Sequence, residues 1–178
     1  MTGMKMTTKK LALCAVLTAL ALGLSVMENL FPIPLPLPGV KLGLANIVTL
    51  FALYTLGAGA ALAILVARCL LGSLFAGNAS ALLFSLLGGL FAMLVMIVLR
   101  RSGRLSVYGV SIGGAAAHNI GQIGAAMIAL GSPMVLGYLP WLLAISLLTG
   151  TLTGFVVSLL FRALKNIDFT PEGGRFHG

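Results

Sequence analysis

LALCAVLTALALGLSV, residues 11–26, follows Lys9 and Lys10 and has two readings. A lysine pair and an apolar run open a secretory leader, and they equally open a helix that stays in the bilayer. The run is long enough to span. Glu28 and a proline track follow it, where a small-x-small cleavage site belongs. Leu13 precedes Cys14 where a lipoprotein leader needs a small residue, and Cys14 lies too near the lysines. The stretch reads as a retained helix, and the fold follows from that decision.

Composition agrees about the solvent. Of the 178 residues, 60% are hydrophobic and 8% charged, against roughly 25% charged in a soluble domain. So little charge cannot cover a wetted surface without leaving large apolar patches. The chain's partner is therefore the lipid bilayer. The net charge of +8 raises the question of nucleic acid. The basic residues sit at the ends of apolar segments with no aromatic-basic surface beside them, so no nucleic-acid partner is expected. Cys14 and Cys69 lie inside apolar runs and read as small buried hydrophobes.

Six apolar segments emerge, at about 11–30, 42–56, 60–75, 81–99, 107–130 and 139–161. "GAG" at 57–59, "AGNAS" at 76–80, "RRSGR" at 100–104 and "GSPMVLGYLP" at 131–140 separate the last five. The expected fold is an all-α integral membrane protein with six transmembrane helices. Residues 1–10 form a basic cytoplasmic N-terminus, 11–161 the membrane domain, and 162–178 a cytoplasmic tail expected to be disordered. In that arrangement Lys5, Lys9, Lys10, Arg100, Arg101, Arg104, Arg162 and Lys165 share one side, and Lys41 alone takes the other. The positive-inside rule then puts both termini in the cytoplasm of a multi-pass plasma-membrane protein.

The first link, FPIPLPLPGVKLG at 31–43, carries Pro32, Pro34, Pro36 and Pro38. Alternate prolines hold an extended polyproline track and remove backbone donors near the apolar boundary. Two readings stand. One is a stiff spacer. The other is a lid over an outward-facing cavity, with Gly39 and Gly43 as hinges around Lys41.

Gly109, Gly113, Ala117 and Gly121 repeat at four-residue spacing, as do Gly150 and Gly154. Small residues at that spacing let helices approach closely in a membrane. Ala15 and Ala19 form a similar pair on the first helix.

The functional signal is polar. Arg68 lies within ILVARCLLGSL, and His118, Asn119 and Gln122 within AAAHNIGQIGAA. Glu28 and Asn29 end the first helix, and Asn46 opens the second segment. Polar groups inside a membrane are costly and face a partner or a cavity. One reading is structural: Arg68 pairs with Glu28, and His118 and Asn119 satisfy loose backbone. The other is a ligand site of Arg68, His118, Asn119, Gln122, Asn46, Lys41 and Glu28. Lys41 and Arg68 leave that side with two cations against one carboxylate, which suits an anionic small molecule.

Catalytic equipment is thin. The acids are Glu28, Asp168 and Glu172, the last two in the tail. Clustered carboxylates for Mg²⁺ are missing, as is a phosphate loop for ATP. No enzyme activity, metal or cofactor is expected.

KLGLANIVTLFALYTLG, ARCLLGSLFAG, FSLLGGLFAMLVM and GVSIGGAAAHNIGQ, in that order, resemble the Gx transporter family, also known as heptaprenyl diphosphate synthase component I. The likeness covers about residues 9–161. That family resembles the substrate-binding S components of energy-coupling factor (ECF) transporters, small six-helix membrane proteins that capture micronutrients on the outer side. The resemblance implies an S-component-like bundle, a first outer loop acting as lid, and an ECF coupling subunit with its ATPases as partners. It also implies that Ala15 and Ala19, as an A-x-x-x-A face, dock that coupling subunit. The synthase label fits poorly, because the aspartate-rich motif of prenyl synthases is missing. An accessory role in isoprenoid or quinone synthesis stands as the alternative, and a self-sufficient transporter as a third.

Overall fold

The computed structural model describes residues 8–30, 43–77 and 79–165. The proline track and Lys41 lie outside the described residues, as do most of the tail and the first seven residues. Six helices follow the six apolar segments within a few residues: α1 (Thr8–Leu30), α2 (Ala45–Thr55), α3 (Ala58–Ala76), α4 (Ala79–Arg101), α5 (Val107–Leu130) and α6 (Leu139–Ala163). A 3-10 turn, Pro133–Tyr138, leads into α6. Punctuation is local. Gly77 and Gly131 stop α3 and α5 with φ of 59° and 62°, a left-handed cap that costs glycine least. The Ser106 side chain accepts from Gly109 N–H and starts α5.

The expectation of six transmembrane helices is corrected. Among the described residues four stretches are long and apolar enough to cross a membrane: Thr8–Glu28, Ala58–Phe75, Ala79–Arg101 and Pro133–Ala163. Two helices drop out for different reasons. With 11 residues, α2 rises about 16 Å, half of the ~30 Å hydrocarbon core. The 24 residues of α5 are long enough, but His118, Asn119, Gln122 and five glycines dilute its apolar character. Both are largely buried in protein. Nine of the eleven α2 residues are buried, and α5 lies between α4 and α6. Their apolar surroundings are supplied by neighbouring helices.

The glycine stripes make the close approaches. A Cβ on Gly121 would come 2.7 Å from Leu87 O and 2.9 Å from Gly88 Cα on α4. Gly113, on the same stripe, meets Leu99. A Cβ on Gly150 would come 2.6 Å from Ile112 Cα, and one on Gly154 3.1 Å from Tyr108 Cα. The α5 stripe therefore seats α4, and the α6 pair seats α5.

One end of the bundle is marked by cations. Arg100, in the last turn of α4, donates to the Leu53 carbonyl near the end of α2. Its guanidinium carbon lies 4.7 Å from the centroid of the Tyr54 ring. Phe161, near the end of α6, packs 5.6 Å from Phe51 and 5.7 Å from Tyr54, centroid to centroid. The C-terminal ends of α2, α4 and α6 thus meet there, with exposed Arg101, Arg104, Arg162 and Lys165 around them. From that end α2 reaches only partway up the bundle, and its first residues open onto the buried polar groups.

Candidate functional site

The start of α2 organises the site. Gly43 has φ +81° and precedes the helix. Its N–H donates to Oε1 of Glu28 at 2.5 Å. No side chain caps the N-terminus of α2. The buried Glu28 carboxylate therefore lies by the positive end of a short helix, where the helix dipole favours a negative charge. A Cβ on Gly43 would fall 2.8 Å from Asn46 Nδ2 and 3.9 Å from His118 Cδ2. Glycine brings α1, α2 and α5 to one point.

His118 is gripped from the other side by α4. A Cβ on Gly88 would stand 2.9 Å from His118 Cε1, 3.0 Å from His118 Nδ1 and 3.0 Å from Gln122 Cγ. His118 and Gln122 are four residues apart and share a helix face. Both lie over the bare Cα of Gly88. Their burial is close to complete, at 5% and 1% exposed.

Arg68, on α3, is 5% exposed. Nη1 donates to Ser25 Oγ of α1 at 3.4 Å, the long limit of a hydrogen bond, and Nε has no partner among the described residues. No ion pair joins it to Glu28 among the described residues. An arginine keeps its charge at any ordinary pH, and a buried charge without a partner costs several kcal/mol, of order ~3–5. Ser25 lies three residues before Glu28, on the same side of α1. Leu65, one turn before Arg68, packs beneath Gly89, 3.0 Å from the place of its missing Cβ. That contact ties α3 to α4 next to the seat of His118.

The sequence-predicted residues therefore sort into groups. Glu28, Asn46, His118 and Gln122 converge around Gly43 and Gly88. Arg68 borders them through Ser25 and α1. Asn119 faces elsewhere: Nδ2 donates to Leu142 O of α6 at 2.7 Å, which makes it a clasp between helices. Lys41 lies outside the described residues. Ala15 and Ala19 are exposed on α1 with Val16 and Leu20, opposite the buried Cys14, Leu17 and Ala21. Sequence reasoning missed Gly88 and Ser25. The paired glycines in LLGGLF were the available signal for Gly88; a lone serine in an apolar helix gave none. Asn46 Oδ1 and Ser111 Oγ are buried with no partner. No group of three or more His, Cys, Asp or Glu able to hold a metal occurs among the described residues.

Residues 17–160 match the family model described as heptaprenyl diphosphate synthase component I. Among solved structures, the S component of a bacterial ECF transporter superposes with a TM-score of 0.70 at 22% identity. The match covers 89% of this chain and 96% of that one. At this identity the likeness shows a shared fold. No curated protein matches the chain.

Proposed function

The chain belongs to the heptaprenyl diphosphate synthase component I family, and we propose that it acts as the substrate-binding membrane subunit of an ECF-type uptake transporter. The observation that carries the capture role is Arg68, a permanent cation that is 5% exposed and has one long hydrogen bond. A small organic anion would supply the missing charge. Glu28, Asn46, His118 and Gln122 would supply its polar contacts beside it. The subunit itself is non-catalytic and carries no cofactor.

Orientation follows from charge. The end bearing Arg100, Arg101, Arg104, Arg162 and Lys165 faces the cytoplasm of a plasma membrane. Lys9 and Lys10 at the start of α1 put the N-terminus on that side by the same rule. The ligand then enters from the outside, beyond the start of α2. The exposed Ala15 and Ala19 face of α1 is free of this chain's other helices and docks the coupling subunit, which links capture to two ATPases.

The family's description supports a second reading, a non-catalytic membrane accessory of prenyl diphosphate or quinone synthesis. Partners separate the two. The protein is co-expressed with an ECF coupling subunit and its ATPases, and separately with a soluble prenyl synthase, and each pair is purified gently. Co-purification with the coupling subunit, with uptake into vesicles that requires ATP, is the expected result. Retention of the synthase alone overturns the transport reading, and ATP-independent uptake by this chain alone overturns the need for a module.

A further inference from the structure

Two buried atoms near the last turns of α1 lack partners among the described residues, and they differ in polarity. Arg68 Nε is a donor, on a side chain 5% exposed. Asn46 Oδ1 is an acceptor, on a side chain 7% exposed. Contacts through α1 link them. Arg68 touches Ser25, Glu28 lies one turn further along α1, its carboxylate holds Gly43 N–H, and Gly43 abuts the Asn46 amide. The two open atoms thus flank one short stretch of α1. The α3 side of this stretch is cationic. The α2 side presents the Asn46 amide oxygen as an acceptor.

Resting on the capture reading above, we propose that the ligand is an acid that also bears an N–H or O–H donor. Arg68 holds its anionic group and Asn46 Oδ1 takes its donor. Neither half alone completes the site. A neutral donor leaves the guanidinium without a counter-charge. A prenyl diphosphate at neutral pH offers acceptor oxygens at its head and hydrocarbon behind, so it satisfies Arg68 and leaves Asn46 open. The substrate class that fits is a carboxylate or phosphate on a scaffold with a ring N–H, amide N–H or hydroxyl.

The test uses the full chain in bilayer nanodiscs with four probes in calorimetric titration. Orotate carries a carboxylate and ring N–H groups. Benzoate has the acid alone, uracil the donors alone, and farnesyl diphosphate the charged head with a hydrocarbon chain. Orotate is expected to bind about tenfold more tightly than benzoate or uracil, the effect of roughly one additional satisfied hydrogen bond. Farnesyl diphosphate should bind no better than benzoate. Arg68→Met should bring orotate to the level of uracil, and Asn46→Leu to the level of benzoate. The wild-type ranking stands as a test even where a variant fails to fold. Farnesyl diphosphate binding as tightly as orotate, orotate binding no better than benzoate, or no binding of any probe overturns the assignment. Co-purification with a coupling subunit would in each case still decide the transport role separately.

Discussion

Replacing Gly88 by alanine tests the geometry on which the site depends. The new Cβ would stand 2.9 Å from His118 Cε1 and 3.0 Å from both His118 Nδ1 and Gln122 Cγ, against about 3.4 Å for an ordinary contact. A flexible side chain would absorb half an ångström cheaply, but this imidazole has little room. Gly43 stands near its Cδ2 on the other side. The backbones of α4 and α5 cannot separate without breaking the Gly121 approach one helical turn away. Overpacking of this kind costs about 1–3 kcal/mol. At about 2–4 °C per kcal/mol for a chain of this size, thermal unfolding in nanodiscs should fall by roughly 2–12 °C. The strain belongs to a pair, so a double-mutant cycle isolates it. Gly88→Ala with His118→Ala should lose less than the sum of the two single changes, by about 1 kcal/mol or more. Additive losses, or a Gly88→Ala protein as stable as wild type within ~0.5 kcal/mol, would refute the claim that His118 rests on Gly88.

The α5 stripe gives a paired comparison. Gly121→Ala should be far more damaging than Gly124→Ala, because the first meets Leu87 O and the second meets nothing within 4 Å; disulfide crosslinking between α4 and α5 and thermal unfolding would read both. Asn119→Ala removes a bond to Leu142 O and should cost about 0.6–1.7 kcal/mol, from the average to the largest value for polar contacts between membrane helices. Amide exchange in the first turns of α6 should rise with it. Arg100→Met removes both the Leu53 carbonyl contact and the cation over Tyr54, a loss of about 1–3 kcal/mol. Tyr54→Phe keeps the ring and should be tolerated, as measured by unfolding of the same preparations.

The helix boundaries were legible because turn signals and apolar runs coincide: each predicted segment lies within a few residues of a helix. The number of spans was not. Hydropathy records that a segment avoids water; whether lipid or protein surrounds it is a different matter. Leu50, Ala52 and Leu53 of α2 are as apolar as any lipid-facing residue, yet they are 0–1% exposed within the protein itself. The buried polar residues of the candidate site were also readable as polar, since Arg68 and His118 stand out in apolar surroundings. Their partners were harder to find. Arg68 reaches Ser25, 43 residues away, and among the described residues the Glu28 carboxylate, which charge alone would pair with it, accepts from Gly43 N–H. Asn119 and His118 are neighbours in sequence and part company in space, since a step of about 100° around a helix sends one towards α6 and the other towards α4. Gly88 passed unnoticed because a glycine shows its purpose only when the residue above it is known.

The short second helix also constrains how the protein is made. Eleven residues do not hold a membrane position unaided; α1 and α3 pack against α2 first, and the contacts at its C-terminal end come later in synthesis, when Arg100 donates to the Leu53 carbonyl and Phe161 stacks on Phe51. During elongation from the ribosome, α1 and α3 enter the bilayer with a short segment between them that they alone hold. The C-terminal end of α2 is completed only when the last helix arrives, so a chain truncated before α6 would keep α2 against α1 and α3 but lack the Phe161 stack that closes the bundle there.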